Sequence, residues 1–184
     1  MRIITGKARG ANLFTPKNYD VRPTADRVKE SVFNIISSRI ADAKVLDAFA
    51  GSGNLGLECW SRGAKEIVFL DKSRESLALV RRNVEKCRAA AFCRLLLGDA
   101  ASLIATLAKQ GEKFDLIFLD PPYAKGLITI ALEQIVKTKV LKSGGLIVAE
   151  RSSTEDEPLL PDGFTLLREE KYGATIIDFI GEIC

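Results

Sequence analysis

The 184-residue chain contains no histidine, and its four cysteines, Cys59, Cys87, Cys93 and Cys184, include no C-x-x-C pair. Without histidine neither a Ser-His-Asp nor a Cys-His nucleophile can be assembled, and the usual histidine-containing zinc sites are excluded too. No metal is expected, and unpaired thiols suit a reducing compartment. No apolar run approaches the length needed to cross a bilayer, and Met1-Arg2-Ile3 opens on recurring charge instead of the apolar core of a signal peptide. The expectation is a cytoplasmic protein without a membrane partner. Net charge is only +3, too small by itself to establish a polyanionic partner. The length is short for two complete domains. A hydrophobic fraction of 47% with 28% charged residues is that of an ordinary globular core.

What is present is unevenly distributed. Residues 1–30 carry Arg2, Lys7, Arg9, Lys17, Arg22, Arg27 and Lys29 against Asp20, Asp26 and Glu30. A basic arm of this kind suits phosphate contacts, although a solvated surface has the same composition. Arg2 to Thr5 and Ala11 to Phe14 flank a Gly6–Gly10 turn and predict a small hairpin. Pro23 then favours an extended residue before it and Thr24 can cap a helix, with Val28, Val32, Phe33, Ile36 and Ile40 on one face from Asp26 onward.

From Lys44 strands and helices alternate. Strands are expected at Val45–Phe49, Ile67–Asp71, Leu95–Gly98, Leu116–Leu119 and Leu146–Glu150, the last after a Ser143-Gly144-Gly145 turn. Helices are expected from Leu55, Ser73, Ala101 and Leu127, and a terminal hairpin pairs Phe164–Lys171 with Thr175–Ile180. This is the pattern of a doubly wound, Rossmann-like α/β sheet, mostly parallel, ending in an antiparallel hairpin. Residues 1–43 form a basic hairpin and helix packed on a main domain of residues 44–184.

Two stretches carry chemistry. Asp47-Ala48-Phe49-Ala50-Gly51-Ser52-Gly53-Asn54-Leu55-Gly56 lies at the first strand-to-helix turn, and Gly51-x-Gly53-x-x-Gly56 is a nucleoside-binding fingerprint with Asp71 ending the second strand. It is not a phosphate-binding Walker loop, because Leu57 and Glu58 stand where Lys and Ser or Thr are required. Asp47 would repel a pyrophosphate but attract an ammonium group, Asp71 can accept from both ribose hydroxyls, and Asp99 from an adenine amino group. S-adenosylmethionine uses all three. The second stretch, Phe114 to Tyr123, is an apolar strand cut off by Asp120-Pro121-Pro122-Tyr123. The prolines end the ladder and present the Asp120 and Pro121 carbonyls, with the Tyr123 ring, at the carboxyl end of a strand.

In this order Asp47 to Gly56, Asp71, Asp99 and Asp120-Pro121-Pro122-Tyr123 resemble the class I S-adenosylmethionine-dependent methyltransferases of exocyclic amino groups. The likeness tightens at Arg2-Ile3-Ile4, Arg9-Gly10, Arg22-Pro23-Thr24, Asp26-Arg27, Phe33-Asn34 and Ser61-Arg62-Gly63-Ala64. These are similar to the RsmD-type enzymes that methylate guanine N2 in bacterial 16S ribosomal RNA. The resemblance runs nearly end to end, including Asn83, Glu150, to which no role is assigned, and Lys171-Tyr172-Gly173. Asn54 stands where a smaller residue is more usual.

The resemblance implies a monomer acting on small-subunit ribosomal RNA, within an assembled or assembling particle. Asp47, Phe49, Ala50, Gly51, Ser52, Gly53, Asp71, Lys72, Asp99, Ala100 and Asp120 would contact the cofactor. Asp120, Pro121, Pro122 and Tyr123 would orient the amine, Tyr123 stacking on the extruded base. Arg22 and Thr24 would help to close the site, and Arg2, Lys7 and Arg9 would meet phosphates. Open alternatives are an adenine amino methyltransferase, a dinucleotide-dependent oxidoreductase, and a ribosome-assembly binding protein with a vestigial site.

Overall fold

The computed structural model describes residues 1–16, 23–122 and 126–183, with the backbone alone for 23–25. Elements follow the expected alternation: α1 (Pro23–Ile35), β1 (Lys44–Asp47), α2 (Asn54–Ser61), β2 (Glu66–Asp71), α3 (Arg74–Lys86), β3 (Cys93–Leu97), α4 (Ala100–Lys109), β4 (Phe114–Leu119), α5 (Leu127–Thr138), β5 (Leu141–Ser152), β6 (Phe164–Tyr172) and β7 (Thr175–Glu182). They form one seven-stranded sheet in the order β3-β2-β1-β4-β5-β7-β6. β3, β2, β1, β4 and β5 are parallel, and β7 runs antiparallel to both β5 and β6.

The middles of the central strands, Val45–Leu46, Ile67–Leu70 and Leu116–Leu119, are apolar throughout because both faces of the sheet are covered. Val45, Leu116 and Phe118 point towards the layer holding α1, α2 and α3, where they meet Phe33, Leu57 and Val80. Leu46, Ile117 and Leu119 point the other way, onto Ile104 of α4 and Leu132 of α5. The period-two alternation within β1 and β4 thus assigns each residue to one of two cores. Between β1 and β4 the winding reverses, and open α/β sheets bind ligands in the crevice at such a reversal.

Several boundaries differ from those expected. α1 begins at Pro23, a first-turn position that proline fits, so Thr24 lies inside the helix and does not precede it as a cap. Ile40 lies beyond α1, after a 3-10 turn at Ser37–Arg39, and is still buried. β1 stops at Asp47, two residues early, because Phe49 has already turned out of the ladder. β3 begins at Cys93 and ends at Leu97, and β5 is much longer than its apolar stretch. Ser143-Gly144-Gly145 is not a turn before β5 but an irregularity inside it, where pairing with β4 jumps from Phe114–Leu141 to Leu116–Leu146. Gly144 takes the left-handed φ of 72° that this needs.

The N-terminal hairpin shrinks to one bridge, Arg2 with Asn12. Ile3 N donates across it to Ala11 O at 3.0 Å and Ile3 O accepts from Gly10 N at 2.8 Å, but the next two donors turn elsewhere. Ile4 N and Thr5 N donate to the two carboxylate oxygens of Glu58 in α2, at 2.8 and 3.0 Å. Glu58 is fully buried and also pairs with Lys29 of α1 at 3.1 Å and Arg62 at 2.8 Å. Lys29 Nζ in turn donates to Arg2 O at 2.5 Å. Burial of Lys29 lowers its pKa, with Glu58 opposing that shift. One buried ion pair thus ties arm, α1 and α2 together. Tyr172 Oη and Ser31 Oγ are 2.5 Å apart, linking the terminal hairpin to α1.

Candidate active site

The glycine turn is held from two sides. Ala48 N donates to Phe118 O (3.1 Å) and Ala50 N to Leu70 O (2.9 Å), so the chain leaving β1 stays between β2 and β4. Gly51 and Gly53 adopt left-handed φ values of 54° and 79°. A Cβ on Gly51 would meet nothing within 4 Å, so the backbone there faces open space. Gly56 has the opposite reason for being glycine: a Cβ would lie 2.3 Å from the Phe69 ring and 2.7 Å from Ile67. Its small size lets α2 lie directly on β2.

Two acids brace this turn. Asp71, half-buried at the end of β2, accepts from Gly51 N through Oδ2 (3.0 Å) and from Ser73 N through Oδ1 (2.8 Å). Asp47 is buried and its Oδ2 accepts from Gly56 N at 3.1 Å. Burial pushes the Asp47 carboxyl up to about 7, against the lowering effect of the Gly56 N–H and with a smaller push from Asp71. Asp99 is exposed and caps α4, its Oδ1 accepting from Ser102 N at 3.0 Å and Ser102 Oγ at 3.1 Å. Lys72 is exposed after β2, Phe49 is half-buried against the α4–α5 core, and Ala100 is buried at the start of α4.

Asp120 directly follows β4, beside Asp47 on one flank and Glu150 on the other, since Leu119 pairs with Ala149 one residue earlier. Three carboxyl groups therefore gather at the ends of the adjacent strands β1, β4 and β5. Asp120 keeps a partly exposed edge but is packed round by protein. Burial, then Glu150, then Asp47 raise its pKa well above the usual carboxylate range. Pro121 is buried and Pro122 exposed, and both line a cavity of about 400 Å³ bounded by Leu127 and Ile128 of α5 and by Arg151 and Thr154. Tyr123 and Arg22 lie outside the described residues, as does the side chain of Thr24.

The arm residues Arg2, Lys7 and Arg9 are exposed, and Lys7 lies against α2, its N–H donating to Ser61 O at 2.8 Å. Arg2 pairs with Asp26 at 3.3 Å. Sequence reasoning missed how the arm reaches the glycine turn. Asn83 of α3, fully buried, donates to Ser52 O (2.9 Å) and to Phe14 O (3.0 Å) and accepts from Phe14 N (2.7 Å). Lys29 donates to Asn54 Oδ1 at 2.8 Å, which gives the unusual Asn54 a partner. A polar Asn83 and Lys29 among helix-face apolar residues were the available signal. Burial raises the thiols of Cys59, Cys87 and Cys93, the last to about 12, so they remain protonated and inert.

Residues 1–181 match the family model described as conserved hypothetical protein 95. The chain belongs to this family, that of the RsmD-type enzymes. It is 34% identical over 173 residues to ribosomal RNA small subunit methyltransferase D of Escherichia coli K12, covering 94% of this chain and 85% of that protein. To the enzyme of the same name from Haemophilus influenzae it is 33% identical over 174 residues, covering 94% and 89%. The solved structure of Escherichia coli yhhF superposes with a TM-score of 0.87 at 30% identity, covering 100% of this chain and 98% of that one. The doubly wound sheet with its antiparallel edge is thus the fold of this RsmD-type family. Among the described residues no helix is long and apolar enough to cross a membrane.

Proposed function

We propose that the protein transfers a methyl group from S-adenosylmethionine to the exocyclic N2 of a guanine in small-subunit ribosomal RNA. The observation that carries this reading is the set of strand-end carboxyls, Asp47, Asp120 and Glu150, gathered beside an open glycine turn at the reversal of the sheet. The residues present fit the cofactor. Asp47 supplies a carboxyl for its ammonium, the open backbone at Gly51 a surface for its sugar, Asp71 an acceptor for the ribose diol, and Asp99 one for adenine. S-adenosylmethionine supplies an activated methyl on sulfur, so the protein's task is chiefly positioning.

A guanine amino group is a weak nucleophile because its lone pair is conjugated with the ring. Asp120 and the Pro121 carbonyl accept its two N–H bonds, turn the lone pair towards the methyl, and stabilise the positive charge that develops on nitrogen. Pro121 and Pro122 hold both acceptors in one geometry. Tyr123 stacks on the extruded base. The methylated ammonium then gives its proton to Asp120 or to water, and the raised affinity of Asp120 for a proton suits that receipt. Glu150 helps to maintain that affinity from β5. Arg2, Lys7, Arg9, Arg22 and Thr24 meet the RNA, and residues 1–43 act as the appendage that presents it to residues 44–184.

The decisive test incubates undermethylated small-subunit particles, and the same RNA freed of protein, with S-adenosylmethionine and separates the nucleosides by mass spectrometry. N2-methylguanosine is expected. N6-methyladenosine would replace this reading with an adenine amino methyltransferase, since the same acceptors serve any exocyclic amine.

A further inference from the structure

The chain's small net charge conceals a strong segregation. Residues 1–16 and 72–94 together carry ten basic and two acidic side chains, leaving seventeen basic and twenty-two acidic in the remainder. These two segments are neighbours in space, because Asn83 bonds both backbone groups of Phe14 and so clips the arm along α3. The clip fixes Phe14, itself exposed, with its ring 4.2 Å from the Arg82 guanidinium and 4.5 Å from Lys86 Nζ. A second aromatic, the exposed Phe92 just before β3, lies 6.3 Å from Trp60 and carries Lys7 Nζ at 5.8 Å. Arg94 is occupied by Glu112 and Glu66. Among the described residues, Lys7, Arg9, Arg81, Arg82, Lys86 and Arg88 have no carboxylate partner and are exposed.

Such a surface is costly for a protein alone, since like charges repel and exposed aromatic rings stay wet. It matches a ribose-phosphate chain with unstacked bases, where cations meet phosphates and rings meet base faces. We infer that the outer side of α3, with Phe14 and Phe92 at its margins, is a second RNA-docking strip that holds the backbone of the substrate RNA away from the base being modified. Arg82 and Lys86, four residues apart on one helix face, are its centre, and Phe14 sets their spacing from the arm. The RNA assignment rests on the methyltransferase reading above, but the strip and the reaction have separate readouts.

The test measures binding of protein-free small-subunit ribosomal RNA by anisotropy from low to moderate salt, for wild type, Arg82→Ala/Lys86→Ala and Phe14→Leu. Thermal midpoint and S-adenosylmethionine affinity serve as folding checks. The double variant should bind roughly ten-fold more weakly at physiological salt, and the slope of log affinity against log salt should shrink by about 1.5, two phosphate contacts' worth. Phe14→Leu keeps the backbone clip to Asn83 but loses the ring, and should weaken binding by several-fold with little change of slope. Unchanged affinity and slope in the double variant would overturn the strip. A loss seen with assembled particles but absent with protein-free RNA would overturn it too, by assigning the strip to a ribosomal protein. Wild-type binding with the expected slope, but no methyl incorporation, would leave the strip standing and remove the reaction.

Discussion

Asp47 is the residue at which a titration becomes a binding property. Its carboxyl titrates near 7 because it is buried, whereas in an unfolded chain it would titrate near 3.9. The native state therefore binds this proton more tightly, so its contribution to stability is greatest at low pH and is lost as pH rises from about 4 through 7. An ammonium group beside Asp47 needs the ionised form. Affinity for S-adenosylmethionine is thus predicted to fall as pH drops below about 7, with proton release on binding, readable by calorimetry in buffers of different ionisation enthalpy. Glu150 gives a second prediction. Its charge is the largest electrostatic cause of the raised Asp120 pKa, after burial. Glu150→Gln should move the acidic limb of the kcat/KM profile to lower pH, while a purely structural role would lower activity without moving the limb.

At the scale of elements, the helix that follows the glycine turn is set by size and by one ion pair. Gly56→Ala would drive a methyl group into Phe69 and Ile67, and a cost of about 1–3 kcal/mol is expected from overpacking, seen as a lower denaturation midpoint. Glu58→Ala removes the acceptor of two arm N–H groups and leaves Lys29 buried without its carboxylate. That should cost about 3–5 kcal/mol and, by limited proteolysis, release residues 1–16 before the sheet unfolds. Strands and helices were legible where the pattern was strong: β2 ends at Asp71, β4 at Leu119, and α5 begins at Leu127, as expected. The hairpin of the arm was legible too, but its short extent was not, because beyond Ile3 the donors of Ile4 and Thr5 are claimed by Glu58, more than fifty residues away. The same holds for β5, whose extension back through Gly144 and Gly145 to Leu141 depends on pairing with β4, and whose extension to Ser152 depends on pairing with β7, neither of which local propensity records.

Across the whole molecule, the site is an outcome of winding order. Asp47, Asp71, Asp99, Asp120 and Glu150 are scattered over about a hundred positions, yet a parallel sheet delivers each to a carboxyl strand end. That much could be read from alternating elements and the position of each acid. What could not be read was interaction between strands: that Glu150 and Asp47 flank Asp120, and that Asn83 joins the arm to the glycine turn. Both require knowing the neighbours in the sheet and in the helix layer. The central claim is that Asp120 positions the amine, and it is tested most directly by single-turnover methyl transfer to undermethylated small-subunit particles by wild type and Asp120→Ala, with folding checked by thermal melting. A rate loss on the order of 10² to 10³ in a folded variant is predicted. Full activity in Asp120→Ala would contradict the account.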